Sequence, residues 1–195
     1  EGKGRRIFFG MMPEEIRADV HHIAALVDRT MRSYIQGQFL LCLVVGAMAT
    51  VALFALGVNL ALLLGTFAGI FEIIPFLGPY LGAIPAILVA LADRPIIALW
   101  VAVAFAAIQQ IENIFLVPRI SGSAVRFHPA IVMVIIVVAS ELAGLLGVLI
   151  AVPLAAMVRD VLRYLYLRTT PAGDTPEKAF ALVCANLKQA PDAAE

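Results

Sequence analysis

Charged side chains are nearly absent from a long central stretch of this sequence. Of its 28 charged residues, 11 lie at or before Arg32 and 10 at or after Arg159, which leaves 7 in the 126 residues between. With 62% hydrophobic and 14% charged residues, the chain is far more apolar than a soluble domain, which carries about 25% charge. Because charged groups are costly in hydrocarbon, we expect the central stretch to be embedded in a membrane.

The apolar stretch divides into about six segments. Residues 39–57 carry no charge and match the roughly 20 residues that a helix needs to cross the hydrocarbon. Residues 58–74 and 80–92 form a shorter, broken pair, and a further span is expected at residues 96–117. The residues expected to shape the break in the pair are Pro75, Gly78 and Pro79.

The last apolar run, residues 129–167, is too long for one crossing. Glu141, Gly144 and Gly147 interrupt it, where a hairpin or a re-entrant bend is expected. The sequence therefore predicts an all-α fold, a polytopic membrane helical bundle with broken or re-entrant helices.

Polar segments flank this membrane domain, which we place at residues 37–168. Residues 1–36 are expected to form an amphipathic helical linker, because apolar residues recur three or four apart from Ile16 to Tyr34. Residues 169–195 are expected to form a polar tail. Positively charged residues in short loops and flanks favour the cytoplasmic side, which places the loop with Arg119 and Arg126, and the tail that follows Arg168, in the cytoplasm.

Glu72 is the first candidate for a role in function. It shares a helical face with Gly65 and Gly69, and it lies one turn before the break at Pro75. Broken helices at membrane depth line cavities and form the binding sites of many secondary transporters. The alternative is that Glu72 only satisfies backbone groups freed at the break.

A second candidate is the polar segment Gln109, Gln110, Glu112 and Asn113, in which residues 109, 112 and 113 are expected to share one face of an apolar helix. Amides and a carboxylate together bind polar solutes, but they also form hydrogen bonds between membrane helices. Both interpretations stay open. Glu141 is a weaker candidate, since it is expected at an exposed hairpin tip, and Asp93 is expected in a solvated turn.

Several classes of protein do not fit. The formal net charge of zero, with no basic stripe, argues against a nucleic-acid partner. We find neither a zinc-protease nor a phosphate-loop motif, so we expect no enzyme, no metal and no cofactor. Cys42 and Cys184 are interpreted as structural. The spacings of Gly65 with Gly69 and of Gly78 with Gly82 predict closely packed helix crossings.

Four local patterns carry a family resemblance. They are YIQGQ at residues 34–38; EIIPFLGP at 72–79 with IP at 84–85; QQIEN at 109–113 with PRI at 118–120 and Gly122; and HP at 128–129 with GLLG at 144–147 and AVPL at 151–154. In order and spacing, this set resembles the autoinducer-2 exporter (AI-2E) family of bacterial membrane proteins, related to the PerM-like permeases. The resemblance covers about two thirds of the chain, from Tyr34 to Leu165.

The resemblance implies a multi-pass protein of the bacterial inner membrane with about eight membrane segments. Some members export the furanone signal autoinducer-2, and others are described as sodium/proton antiporters. Family proteins carry further membrane segments and a long helical linker before the pattern at Tyr34, so this chain resembles their C-terminal half to two thirds. Assembly into a homo-oligomer is also implied.

These observations lead to one main hypothesis and two alternatives. The main hypothesis is a secondary transporter or exporter of a small polar solute, whose pathway lies between the broken pair and residues 109–113. Either Glu72 or Glu112 would serve as a proton carrier if transport is coupled. The alternatives are a sodium/proton antiporter and a membrane scaffold that transports nothing. The expected partners are the lipid bilayer and a small polar solute, H⁺ or Na⁺.

Overall fold

The structure is a computed structural model that describes residues 14–74, 77–121, 129–170 and 175–188. Every regular element in these ranges is helical, as the sequence predicted. The elements are α1 (Glu14–Ala55), α2 (Ala61–Phe71), α3 (Gly78–Asp93), α4 (Pro95–Ile111), a π-helix (Glu112–Ser121), α5 (Pro129–Arg168) and α6 (Pro176–Lys188).

Three helical stretches are long and apolar enough to cross a membrane, namely Ile16–Ala55, Pro95–Ile120 and Ala130–Arg168. Two shorter apolar helices, α2 and α3, have 11 and 16 residues. At 1.5 Å per residue they are about 16 and 24 Å long, less than the roughly 30 Å of the hydrocarbon core. They are the broken pair that the sequence predicted.

Helix α1 joins the amphipathic segment and the first apolar span into one helix of 42 residues. It ends where Gly57 takes a positive φ of 68°, and the N–H of Val58 donates back to the carbonyl of Leu53 at 3.0 Å. This is a common glycine-dependent helix end.

The chain divides into two compact units, and α1 and α5 contribute residues to both. The central unit is Tyr34–Val152, and the terminal unit combines Glu1–Ser33 with Pro153–Glu195. One core cluster of the central unit joins α1, α2, α3 and α4, and includes Leu53, Leu64, Ala86 and Val101. Another cluster joins Tyr34 and Ile74 to both arms of α5.

The core of the terminal unit is formed by Leu26, Tyr164, Ala179 and Val183, from α1, α5 and α6. Polar contacts surround it. The carboxylate of Asp19 accepts hydrogen bonds from Tyr164 Oη at 2.6 Å and from Arg168 Nε at 2.8 Å. The α6 helix is therefore packed against its neighbours by an apolar face, within this unit.

Candidate functional site

Glycines bring α1 and α2 into backbone contact next to the first candidate residue. A Cβ atom added at Gly69 would lie 2.6 Å from the carbonyl oxygen of Cys42 and 2.9 Å from Cα of Gly46, and one added at Gly65 would lie 2.6 Å from Cα of Thr50. Such distances are too short for any side chain other than hydrogen. The close crossing predicted from Gly65 and Gly69 is confirmed, with Gly46 on the opposite helix.

A second close approach lies at the break between α2 and α3. A Cβ atom at Gly82 would lie 2.7 Å from Cα of Ala68, and one at Gly78 would meet the backbone of Phe71 and Glu72. Pro79 lies in the first turn of α3, where its missing N–H costs no helical hydrogen bond. Gly78 and Pro79 thus stand at the predicted break, whereas Pro75 lies outside the described residues.

Glu72 is the C-cap of α2, directly after Phe71. Its backbone N–H donates to the carbonyl of Ala68 at 3.1 Å, and the residue is only 3% exposed. Three residues earlier in the chain, Gly69 holds the same helix against α1. The acidic side chain is therefore buried at the end of a broken helix, and this is the position that the sequence predicted for it.

Glu112 faces Glu72 from another helix. It begins the π-helix that continues α4, it is 7% exposed, and its carboxyl group lies within hydrogen-bonding reach of that of Glu72. Gln109 Nε2 lies 3.4 Å from Glu112 Oε2, which is a long hydrogen bond. We call Glu72 and Glu112 the carboxyl pair.

One oxygen of the pair lacks a donor. Glu72 Oε2 is buried, and no N–H or O–H among the described residues donates to it. An ionised carboxylate only accepts hydrogen bonds, so Glu112 can supply a donor only when it carries a proton. Two facing carboxylates also repel each other strongly where water is excluded. The geometry consequently favours a proton or a cation between the two groups.

The third side of the site comes from α1. Gln38 Nε2 donates to the backbone oxygen of Glu72 at 2.6 Å. Cys42 follows one turn further along α1, and its carbonyl oxygen lies against Gly69. From the sequence, Gln38 stood out only as part of a motif, and Cys42 was interpreted as structural. The spacing of Tyr34, Gln38 and Cys42, four residues apart, was the available signal, because it places all three on one helical face.

The amide residues of the second candidate segment are not all brought together. Gln109 lies beside Glu112, whereas Gln110 and Asn113 are exposed. The expectation that residues 109, 112 and 113 share one face assumed α-helical geometry. The structure changes to a π-helix at Glu112, and its i→i+5 bonding widens the turn and shifts the direction of the following side chains.

The second predicted break is present in α5. Ala143 has φ −141° and ψ 17°, and Gly144 has φ 57° and ψ −140°, so the helix is interrupted there. A Cβ atom at Gly147 would meet the carbonyl group of Ala139, which shows that the two arms touch across the bend. Glu141 is exposed and does not approach the carboxyl pair by any contact found among the described residues.

A metal cluster is not apparent in the described part of the chain. No group of three or more His, Cys, Asp and Glu side chains there is placed to hold a metal ion. The carboxyl pair is a buried acidic group that a proton or a single small cation could bind, and the side-chain amides of Gln38 and Gln109 are its neutral neighbours.

The fold places this chain in the class of multi-pass helical membrane proteins with broken helices. Comparison with known proteins makes this specific. A sequence profile described as "AI-2E family transporter" matches residues 3–167, and the chain belongs to the AI-2E transporter family. The resemblance drawn from the four sequence patterns is therefore confirmed.

Curated relatives point the same way. The chain is similar to two proteins of Bacillus subtilis (strain 168) named "Putative transport protein", YrrI and YueF. It is 34% identical to YrrI over 73% of this chain and 41% of YrrI, and 33% identical to YueF over 81% of this chain and 44% of YueF. The chain thus spans less than half the length of these relatives. No solved structure matches it.

Proposed function

We propose that this chain forms the ion-binding part of a secondary membrane transporter, in which the carboxyl pair binds a proton or a sodium ion during transport. The observation that carries the proposal is the buried, facing arrangement of Glu72 and Glu112 with one oxygen lacking a donor. Intramembrane carboxyl groups of this kind mark ion pathways and proton relays in pumps and transporters. Membership in a transporter family supports it.

We further propose a location in the bacterial inner membrane with the tail in the cytoplasm. Large apolar side chains on the membrane helices are exposed, including Phe39 at 70% and Leu146 at 70%, which suits contact with lipid tails or with a second copy of the protein. The Arg residues near the end of α5, Arg159, Arg163 and Arg168, favour the cytoplasmic side for that end.

The test is ion flux in proteoliposomes that contain the full-length protein. An outward sodium gradient should drive proton uptake, read by a pH-sensitive dye inside the vesicles. Glu72→Gln and Glu112→Gln should each lower this flux by about tenfold or more, because a neutral amide neither releases a proton nor balances the charge of a cation. The expected flux also falls when the pH inside the vesicles is low, since protons there compete with the internal sodium for the same carboxyl groups.

The matched control is Asp93→Asn, which changes an exposed acid at the C-terminal end of α3. Its flux should equal that of the unchanged protein. Normal flux in both Glu variants would contradict the proposal. If those variants lower only the thermal stability of a protein that transports neither ion, the scaffold alternative is supported instead.

Export of a small polar solute remains the second candidate function. The amides of Gln38 and Gln109 beside the carboxyl pair favour it, because amides and carboxyls together bind polar, uncharged molecules. Autoinducer-2 efflux should be measured in the same vesicles. Furanone efflux that needs Gln109 but no cation gradient would replace the ion proposal by this one.

A further inference from the structure

The carbonyl group of Glu72 has an unusual partner. Helix α2 ends at Phe71, so this carbonyl lies in the last turn, where acceptors leave the regular helical ladder. A side chain from α1 satisfies it, since Gln38 Nε2 donates to it at 2.6 Å across 34 residues of sequence. In a membrane interior, where water does not replace such a donor, this bond fixes the local backbone.

A second contact between α1 and α2 lies next to this bond. Cys42 follows Gln38 one turn further along α1 on the same helical face, and the carbonyl oxygen of Cys42 lies against Gly69 of α2. The backbone contact at Gly69 therefore sets how closely α1 approaches, and the bond from Gln38 sets where α2 ends. Together they determine the direction in which the Glu72 side chain leaves the main chain.

We infer that Gln38 is a positioning residue that holds the Glu72 carboxyl against that of Glu112, and that the Cys42 thiol lines the resulting three-sided site. This inference rests on the function proposed above. It extends the site from two elements to three and assigns a role to residues on α1. The ligand class is the same, a proton or a small monovalent cation.

The test compares two identical changes on one helix. Gln38→Leu removes the amide that bonds to Glu72, whereas Gln36→Leu makes the same change at an exposed position. In proteoliposomes with the full-length protein, Gln38→Leu should raise the sodium concentration for half-maximal flux by about tenfold, the size expected for one buried hydrogen bond. The maximal rate should change less, and the pH profile of flux should shift. Gln36→Leu should change none of these.

A second measurement covers the case in which Gln38→Leu does not fold. In a Cys184→Ala background, the rate at which a small methanethiosulfonate reagent modifies Cys42 is followed with and without sodium. Sodium should slow the modification, and completed modification should reduce flux. Equal rates with and without sodium, together with full flux after modification, would overturn the lining role of Cys42.

The outcomes separate this inference from the proposed function. If Gln38→Leu folds and keeps the sodium dependence and the pH profile while Glu72→Gln abolishes flux, the positioning role is wrong and the ion site stands. If Glu72→Gln and Glu112→Gln both keep normal flux, the proposed function itself fails, whatever Gln38 does.

Discussion

At the scale of single residues, the site depends on positions that carry no functional group. Gly46, Gly65 and Gly69 let two membrane helices meet backbone to backbone, and Gly69 lies one turn before the buried Glu72. Small residues allow such contacts because dispersion and packing, rather than the hydrophobic effect, hold helices together in lipid. The position of the Glu72 carboxyl group therefore depends on Gly69 having no methyl group.

Gly69→Ala should destabilise the protein by about 1–3 kcal/mol, the usual cost of overpacking. The added Cβ atom would lie 2.6 Å from the carbonyl oxygen of Cys42, so α1 and α2 must separate. Thermal unfolding in detergent, followed by loss of helical circular dichroism, measures the effect.

The control for this change is Thr66→Ala, which alters an exposed residue of the same helix. It should leave the unfolding temperature almost unchanged. Equal unfolding temperatures for Gly69→Ala and the unchanged protein would show that the crossing is looser than the structure describes.

The sequence was sufficient to select Glu72 and Glu112, because each is an acid in an otherwise apolar segment. It did not show that the two face each other, since that contact depends on how three helices pack. For the same reason it did not reveal the bond from Gln38 to the Glu72 backbone, which crosses 34 residues. Gln110 and Asn113 were grouped with Glu112 on a regular helix that the structure does not continue.

At the scale of elements, the bend in α5 is the clearest case of a local sequence signal. Gly144 has φ 57° and ψ −140°, a backbone conformation that is nearly restricted to glycine. The two arms it joins pack together, with Val132 and Ile136 of the first arm in one cluster with Val148 and Val152 of the second. A single residue thus turns a long apolar run into a hairpin.

Gly144→Ala should destabilise the hairpin by about 1–3 kcal/mol, because alanine is strained in this conformation. Nothing lies within 4 Å of a Cβ atom added there, so the cost would come from the backbone alone. The neighbouring change Leu145→Ala removes an exposed apolar side chain without altering φ. Thermal unfolding should separate the two variants, and equal stabilities would argue against the bend.

The ends and bends of helices were predictable where a residue type restricts the backbone conformation. The break between α2 and α3, with Gly78 and Pro79 at its end, and the bend at Gly144 were both found this way. The π-helix from Glu112 to Ser121 was not found. Pro118 within it lacks the N–H that an α-helix would use, but the sequence does not show how the helix accommodates that loss.

At the scale of the whole molecule, the terminal unit joins the two ends of the described chain. Asp160 is 2% exposed and accepts hydrogen bonds from Thr30 Oγ1 at 2.8 Å and from Arg159 Nε at 3.0 Å. His22 of α1 packs on Phe180 of α6 with ring centroids 4.8 Å apart. Polar and aromatic contacts thus connect residues that are more than 100 positions apart in sequence.

Val183→Asp should release α6 from this unit. Val183 is 1% exposed in the cluster with Leu26 and Tyr164, and burying an unpaired carboxylate costs several kcal/mol, so the helix would detach instead. Reagent labelling of the adjacent Cys184, resolved from Cys42 by mass spectrometry of peptides, should become faster.

Ala181→Asp places the same charge on an exposed position of α6 and should leave the labelling rate of Cys184 unchanged. If Cys184 is labelled no faster in Val183→Asp than in this control, α6 does not pack in the terminal unit as described.

The glycine contacts between α1 and α2 also affect how natural or laboratory variation in this protein is interpreted. In a saturation mutagenesis screen scored by growth, Gly69 and Glu72 would look equally intolerant, although Gly69 only leaves room for a helix contact and Glu72 is the proposed ion ligand. Only a screen that scores protein abundance separately from transport can distinguish them. In this protein, intolerance to substitution shows that a residue lies near the site, but it does not show whether that residue binds the transported ion.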